Sequence, residues 1–412
     1  MSLTLTVHRG TQQIGGSCIE ITHPQGDRII LDAGRPLDAP DGVTGLLPAS
    51  LDRNRPATVL ISHPHQDHWG LVEEIPAAWP IWTGSGSAKL IAVTGDVTRR
   101  SLARAFETWH SRSGPFAVGP FIITPILTDH SAFDAYMLLV EGGGKRLLYT
   151  GDFRRHGRKS ALVERIMAHP PVDIDVLMTE GTNLGSDKPV KSEDELEGDF
   201  VELFGRTRGR VFVAWSGQNI DRTVTIYRAA KRTGRTLAID LYTADVLDRI
   251  SEGTGLPRAG FPNLKVVVTR GLRSNYRNQG REDFVERMVP NGISAKRLEG
   301  SRYVVMLRRG LIRDYQGAGV VPTVDDAFNF SMWRGYLSDP YHSEALEWCK
   351  AAGAEIAYIH TSGHASPADL RAFAAALRPK IVVPVHGVKW DEEAHGFGAI
   401  RRLADGETMM IP

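Results

Sequence analysis

The stretch Thr58-Val59-Leu60-Ile61-Ser62-His63-Pro64-His65-Gln66-Asp67-His68 decides the reading of this chain. Its first half is a short apolar run of strand length. Its second half packs four metal-capable side chains, His63, His65, Asp67 and His68, into six residues. Imidazole and carboxylate donors suit zinc and related divalent ions, and catalytic sites keep a position open for water. Four costly polar residues at the mouth of a strand need a common reason to be there. A lone HxH pair arises often by chance, but the full HxHxDH string is far more specific and reads as half of a dinuclear site. It points to a metal-dependent hydrolase whose remaining ligands come from elsewhere in the chain.

Four further places carry the same local signature, a strand ending in a ligand-type residue beside glycine or another small residue. They are Leu31-Asp32-Ala33-Gly34, Thr128-Asp129-His130-Ser131-Ala132, Tyr149-Thr150-Gly151-Asp152-Phe153 and Pro384-Val385-His386-Gly387. Each alone is weak, because acids and histidines at strand ends are often solvated turn residues. Their combination with HxHxDH, in this order, is strong.

Around these sites the chain reads as α/β with a strong β component. Residues 1 to about 180 contain strand candidates at Leu3–Val7, Ser17–Thr22, Arg28–Asp32, Thr58–Ser62, Pro120–Thr124, Ala135–Glu141 and Arg146–Thr150. A helix carrying surface arginines is expected within Ser87–Thr108. From about Asn183 to Ala352 the texture changes to alternating strand (Arg210–Trp215), helix (Ile220–Lys231) and strand (Thr236–Asp240), a small parallel α/β unit. The last sixty residues return to strand-and-histidine texture, with strands at Glu355–Ile359 and Lys380–Val385. The expected domains are therefore 1–182 and 353–412 as two parts of one domain, with 183–352 inserted between them.

Composition adds bounds rather than function. The chain has 412 residues, is 42% hydrophobic and 24% charged, and carries a net charge of +1, so nothing global advertises nucleic acid. Cys18 and Cys349 lie far apart and outside any CxxC pattern, which fits a reducing compartment. The start of the chain lacks a charged segment followed by an apolar one, and no run reaches membrane-spanning length. A cytoplasmic location without membrane association is expected. Local basic stretches do offer a track for a polyanion: Arg206, Arg208 and Arg210, then Arg222, Arg228, Lys231, Arg232 and Arg235, then Arg270, Arg273, Arg277 and Arg281. The usual alternative for such charges is a solvated face balanced by acids.

The ordered set Asp32, His63-x-His65-x-Asp67-His68, His130, Asp152 and His386 resembles the metallo-β-lactamase superfamily. That resemblance implies an αββα sandwich with a dinuclear zinc site at one edge. Thr179-Glu180-Gly181-Thr182-Asn183, Asp221-Arg222, Phe330-Ser331-Met332-Trp333-Arg334-Gly335-Tyr336 and His360-Thr361-Ser362-Gly363-His364-Ala365-Ser366 look like the β-CASP branch, the nucleic-acid-processing nucleases that include ribonuclease J. The fold class implied is thus α/β, a metallo-β-lactamase αββα sandwich with an inserted β-CASP α/β cap domain.

Carried over position by position, the resemblance implies that His63, His65 and His130 hold one Zn2+ and that Asp67, His68 and His386 hold the other, with Asp152 bridging. Mn2+ is accepted by the same donors. Two such cations activate a water to hydroxide and clamp the attacking and leaving oxygens of an in-line displacement, and Asp67 is placed to orient the hydroxide. Asp32 and Glu180 match positions behind the ligands, where carboxylates fix imidazole tautomers. His364 resembles the histidine that contacts the scissile phosphate or assists the leaving group, which makes Asp67, His364 and Glu180 the catalytic candidates. His360, Ser362, His364 and Ser366 are the candidate phosphate pocket. Trp333 and Tyr336 could stack a base, although packing is the commoner role of such a pair.

The substrate expected is single-stranded RNA, cut internally, from the 5′ end, or both, by a soluble enzyme for which a homodimer is one option. A DNA nuclease of the same branch, a non-catalytic nucleic-acid-binding subunit and a small-molecule metallo-hydrolase are the alternatives. Two departures from the ribonuclease J pattern stand out. Only about 25 residues follow His386, where those proteins usually continue into a further domain, and Val388 follows Pro-Val-His-Gly where an acid is often found.

Overall fold

The structure is a computed structural model describing residues 3–98, 102–300 and 302–412. Met1 and Ser2 of the start read above, and Arg99 and Arg100 of the expected arginine-bearing helix, lie outside the described residues. The chain divides into two compact units. One comprises residues 1–91, 101–189 and 363–412, and the other residues 92–100 and 190–362.

The first unit is built on two sheets. A seven-stranded sheet runs in the order Thr408–Met410, Thr4–Arg9, Cys18–Thr22, Arg28–Leu31, Thr58–Ile61, Ile81–Gly84, Glu107–Trp109. A six-stranded sheet runs Ile381–Pro384, Val176–Thr179, Lys145–Tyr149, Tyr136–Gly142, Phe121–Leu127, Phe116–Val118. Side chains alternate across a strand, and the buried residues divide accordingly. Leu60 faces the core between the sheets with Leu5, Ile19, Tyr136, Leu147 and Met178, whereas Val59 and Ile61 join Trp69, Val72 and Trp79 on the outer face of the first sheet. On the second sheet Leu148, Leu177 and Val382 face outward against Val163 and Ile166 of helix Ser160–Ala168 and against Phe373 and Leu377 of helix Pro367–Leu377. Helix, sheet, sheet and helix form an αββα sandwich, and the alternation is needed because each strand is buried on both faces.

The expected helix within Ser87–Thr108 is shorter and starts earlier, at Ser85–Thr98. Glu107–Trp109 is instead an edge strand parallel to Ile81–Gly84. The cause is Trp109, whose indole is buried between the sheets, edge-on to Tyr136 at 5.7 Å, a position no helical continuation would give it. Arg104 is likewise no surface helix residue: its guanidinium donates to the carbonyls of Ile75, Pro76 and Trp79.

The second unit is a parallel sheet in the order Gly292–Ile293, Leu264–Val267, Thr236–Asp240, Tyr303–Met306, Val211–Ala214, Ala327–Phe330, Glu355–Ala357. Its central strands are almost wholly buried and apolar, Asn329 being the polar exception, as suits strands covered on both faces. The basic track expected here is internal only in part. Arg210 is buried against Asp326 and Arg222 against Glu193, and the half-buried Arg281 pairs with Asp245, whereas Arg206, Arg208, Arg228, Lys231, Arg232, Arg270, Arg273 and Arg277 are exposed. Arg235 donates to the carbonyls of Phe204, Thr207 and Gly209. Arg206 pairs with Glu355, Arg228 and Arg232 with Glu197, and Arg277 with Glu282. The three buried guanidiniums hold the unit together, and the exposed ones lie on its surface, several of them beside acids.

Candidate metal centre

Every candidate ligand lies just beyond the carboxyl end of a strand of the sandwich. Asp32 follows Arg28–Leu31, His63 to His68 follow Thr58–Ile61, and His130 follows Phe121–Leu127. Asp152 follows Lys145–Tyr149, Glu180 follows Val176–Thr179, and His386 follows Ile381–Pro384. These strands run in one direction in their sheets, so their loops gather at one edge.

Three groups of donor atoms result, each with all atoms within 4.8 Å of one another: His63, His65, His130 and Asp152; Asp67, His68, Asp152 and His386; and Asp152, Glu180, His364 and His386. Asp152 belongs to all three. His63 Nε2 lies 3.6 Å from Asp152 Oδ2, and His68 Nε2 lies 3.3 Å from the same oxygen. His386 Nε2 is 3.2 Å from Asp67 Oδ2. Asp67 itself is fixed by close packing: a Cβ on Gly34 would sit 1.8 Å from the Asp67 carbonyl oxygen, so only glycine fits there.

The outward nitrogens of His63, His68, His130 and His364 are held from behind. Asp32 Oδ2 accepts from His68 Nδ1 at 2.7 Å, from Ser62 Oγ at 2.8 Å and from Tyr149 OH at 2.7 Å, while its Oδ1 accepts from Ser62 N at 2.7 Å. Because the Ser62 hydroxyl hydrogen is given to Asp32, His63 Nδ1–H donates to Ser62 Oγ at 3.0 Å, leaving Nε2 with its lone pair. His130 Nδ1 donates to the Gly363 carbonyl at 2.6 Å. Glu180 Oε2 accepts from His364 Nδ1 at 2.8 Å, and Oε1 from Phe153 N at 2.9 Å. Rings oriented this way by carboxylates and carbonyls are the arrangement that ligating histidines adopt.

The inner atoms are what a cation would need. His63 Nε2, His68 Nε2 and Asp152 Oδ1 are buried without a hydrogen-bond partner. A buried orphan costs about 1–3 kcal/mol, and these three, His63 in one donor group, His68 in another and Asp152 in both, fit divalent ions. Electrostatics agree at His63 and His130, whereas at His68 burial is outweighed by the Asp152, Asp32 and Asp67 carboxylates, which raise it well above the ordinary range. Burial, and then His68, hold His63 well below the ordinary histidine range; burial and then His65 do the same to His130. Neutral imidazole is the form that donates to a metal. Burial alone would raise Asp152, but His386, His68 and His364 outweigh it and keep it ionised. Asp67 is held at about 2 by His68 and His386 against the same burial. His364 is driven down by burial and up by Glu180 and Asp152, with the net at about 9.

Not every candidate joins the centre. Ser366 caps helix Pro367–Leu377, accepting from Asp369 N at 3.1 Å and donating to Asp369 Oδ2 at 2.7 Å. His360 and Ser362 belong to the second unit, where His360 Nδ1 lies 3.4 Å from Arg222 Nη1, whereas His364 and Ser366 belong to the first. His156, close behind Asp152 in sequence, is buried but enters no donor cluster among the described residues. Sequence reading missed Tyr149, Thr182, whose Oγ1 lies 3.0 Å from His386 Nδ1, and the Gly363 carbonyl. All three lie in stretches singled out above, but their partners are more than 100 positions away in the chain, so no local pattern announced the contacts.

Known proteins match this geometry. The family model described as metallo-beta-lactamase superfamily matches residues 12–180, and the Zn-dependent metallo-hydrolase RNA specificity domain matches residues 353–396. The chain belongs to the metallo-β-lactamase superfamily, in its ribonuclease J-like β-CASP branch. Within this superfamily, Ribonuclease J of Helicobacter pylori (strain ATCC 700392 / 26695) is 25% identical over 94% of the chain and 56% of its own length. Ribonuclease J of Mycoplasma genitalium is 23% identical over 92% of the chain and 66% of its length, and that of Mycobacterium tuberculosis (strain ATCC 25618 / H37Rv) 24% over 93% and 69%. The chain thus spans little more than half the length of the Helicobacter relatives. A crystal structure of a protein of unknown function from Enterococcus faecalis V583 shares the superfamily fold, with a TM-score of 0.80 and 19% identity over 100% of both chains. No helix among the described residues is long and apolar enough to cross a membrane.

Proposed function

We propose that this chain is a divalent-metal-dependent phosphodiesterase that hydrolyses single-stranded RNA. The observation that carries the reading is Asp152, whose carboxylate belongs to both flanking His/Asp clusters. In this reading His63, His65 and His130 hold one cation, and Asp67, His68 and His386 hold a second, with Asp152 touching both. The first set is nitrogen-rich, which suits zinc; manganese is accepted by the same donors. Bound there, a cation pair lowers the pKa of a shared water and neutralises charge on the phosphoryl oxygens.

The remaining work falls to side chains. Asp32 and the Gly363 carbonyl keep the His68 and His130 rings turned inward. The Asp67 carboxylate, ionised at neutral pH, accepts a hydrogen bond from the attacking water and aligns it. His364 is anchored through Nδ1 by Glu180, so its Nε2–H is directed at a phosphoryl or leaving oxygen. RNA is favoured as substrate by the matched RNA specificity domain and by the ribonuclease J relatives.

The test is cleavage of 5′-monophosphorylated single-stranded RNA, with matching DNA alongside, by metal-loaded protein. Wild type should cut RNA, Asp67→Ala should not, and His364→Ala should be slower by roughly 10²–10⁴-fold. Intact RNA after incubation with metal-loaded wild type would overturn the reading, and cutting of DNA alone would move it to a DNA nuclease.

A further inference from the structure

The second unit carries a surface that its ion pairs do not explain. Among the described residues the strongly exposed aromatic side chains are Trp333 (59%), Tyr341 (53%), Tyr336 (46%) and Tyr358 (39%), all between positions 333 and 358. Burying such rings is worth roughly 1.5–3 kcal/mol each, so their collection in one exposed place asks for a ligand.

Three of them form a connected array through His342, and Tyr358 stands beside the Arg334 guanidinium. Trp333 and Tyr336 have centroids 5.4 Å apart, Tyr336 and His342 5.2 Å, and His342 and Tyr341 5.1 Å. The Arg309 guanidinium lies 5.2 Å from the Tyr341 ring, and that of Arg334 lies 3.8 Å from the Tyr358 ring. Arg334 is exposed and makes no ion pair among the described residues. The array grows from the loops after the adjacent parallel strands Ala327–Phe330 and Glu355–Ala357, at the carboxyl edge where open α/β sheets bind ligands.

The Trp333 indole lies over Gly335, where a Cβ would come within 2.1 Å of its Cη2. No exposed large aliphatic side chain lies between positions 333 and 358, which disfavours a hydrophobic protein partner. Rings alternating with guanidiniums suit a strand of flat bases on a phosphate backbone.

We propose that Trp333, Tyr336, Tyr341 and Tyr358 form a platform on which unpaired bases of single-stranded RNA stack, with Arg334 beside the backbone. This rests on the ribonuclease reading above and adds a binding surface away from the metal ligands in sequence.

The experiment is fluorescence anisotropy with Asp67→Ala protein in zinc-containing buffer, which should not cut its probe, and a labelled 12-nucleotide oligouridylate. The same strand without bases serves as a second probe, and wild-type cleavage is measured in parallel. Adding Trp333→Ala or Tyr336→Ala should weaken oligouridylate binding by about 5- to 100-fold, Trp333→Phe should retain most of it, and the abasic strand should bind all versions alike. If both alanine variants bind oligouridylate as tightly as their parent while wild type cuts RNA, the platform is refuted and the ribonuclease reading stands. If wild type neither binds nor cuts RNA, both fall. If Trp333→Ala instead halves the sedimenting mass with RNA affinity unchanged, the surface belongs to a second copy of the chain and the proposal is overturned.

Discussion

Asp32 concentrates the structural logic of the site in one residue. It sits in the left-handed region at φ 62°, which for a non-glycine residue is costly, and it accepts four hydrogen bonds, one of them from the inward-turned His68. Asp32→Ala should therefore weaken zinc binding by about 10–100-fold, read by competition with a chromophoric chelator, and unchanged affinity would remove Asp32 from that role. Asp32 was legible because it lies at a strand end beside Ala33-Gly34. Its donor Tyr149 was not, since nothing near Tyr149 in the chain announces a partner 117 positions earlier. Away from the site, Glu20 makes a pH-dependent contribution. Burial would raise its carboxyl, but hydrogen bonds from His8, Arg28 and Thr22 outweigh burial and hold it at about 2. A carboxyl lowered on folding adds stability that is complete above its unfolded value of about 4.3 and is lost as pH falls towards 2. Melting curves of Glu20→Gln should accordingly fall less steeply between those values than those of wild type. Equal steepness would show that the carboxylate is not linked to folding.

At the scale of elements, the strand Thr58–Ile61 positions the HxHxDH loop because its two faces are claimed by different cores, Leu60 by one and Val59 and Ile61 by the other. A one-residue slip would exchange them, which is what fixes the register of the ligands. Leu60→Ala should cost about 2–5 kcal/mol in chemical denaturation, whereas a cost near zero would mean the strand is not pinned in this way. Ser366 belongs to its helix: Ser366→Ala should remove about 1 kcal/mol of stability and leave the KM for RNA unaltered, and a raised KM would return Ser366 to the phosphate pocket. Strands such as Arg28–Leu31 and Thr58–Ile61 were readable from sequence because short apolar runs end there on acid, histidine and turn residues. Val176–Thr179, of the same kind, was passed over, and the helix was expected beyond its end at Thr98, across the strand Glu107–Trp109.

For the whole molecule, the first unit is assembled from three stretches of chain, and each supplies candidate ligands: His63 to His68 from the first, His130 and Asp152 from the second, and His386 from the third, which follows residues 190–362 of the second unit. Order along the chain was enough to anticipate this, because ligand-bearing strand ends recur after the α/β stretch. Which backbone carbonyl orients His130 was not readable, as carbonyls carry no sequence signature. A ligand bound only by the folded state stabilises it by about 2.7 kcal/mol at a hundredfold excess over Kd. Chelation should therefore lower the Tm by several degrees and zinc should restore it, while an unshifted Tm would argue against a bound cation. The most direct measurement of the central claim is divalent-metal content together with RNA cleavage for wild type beside Asp152→Asn. The account predicts about two ions per wild-type chain, fewer in the variant, and no cleavage by it. Full metal content and undiminished cleavage in Asp152→Asn would contradict it.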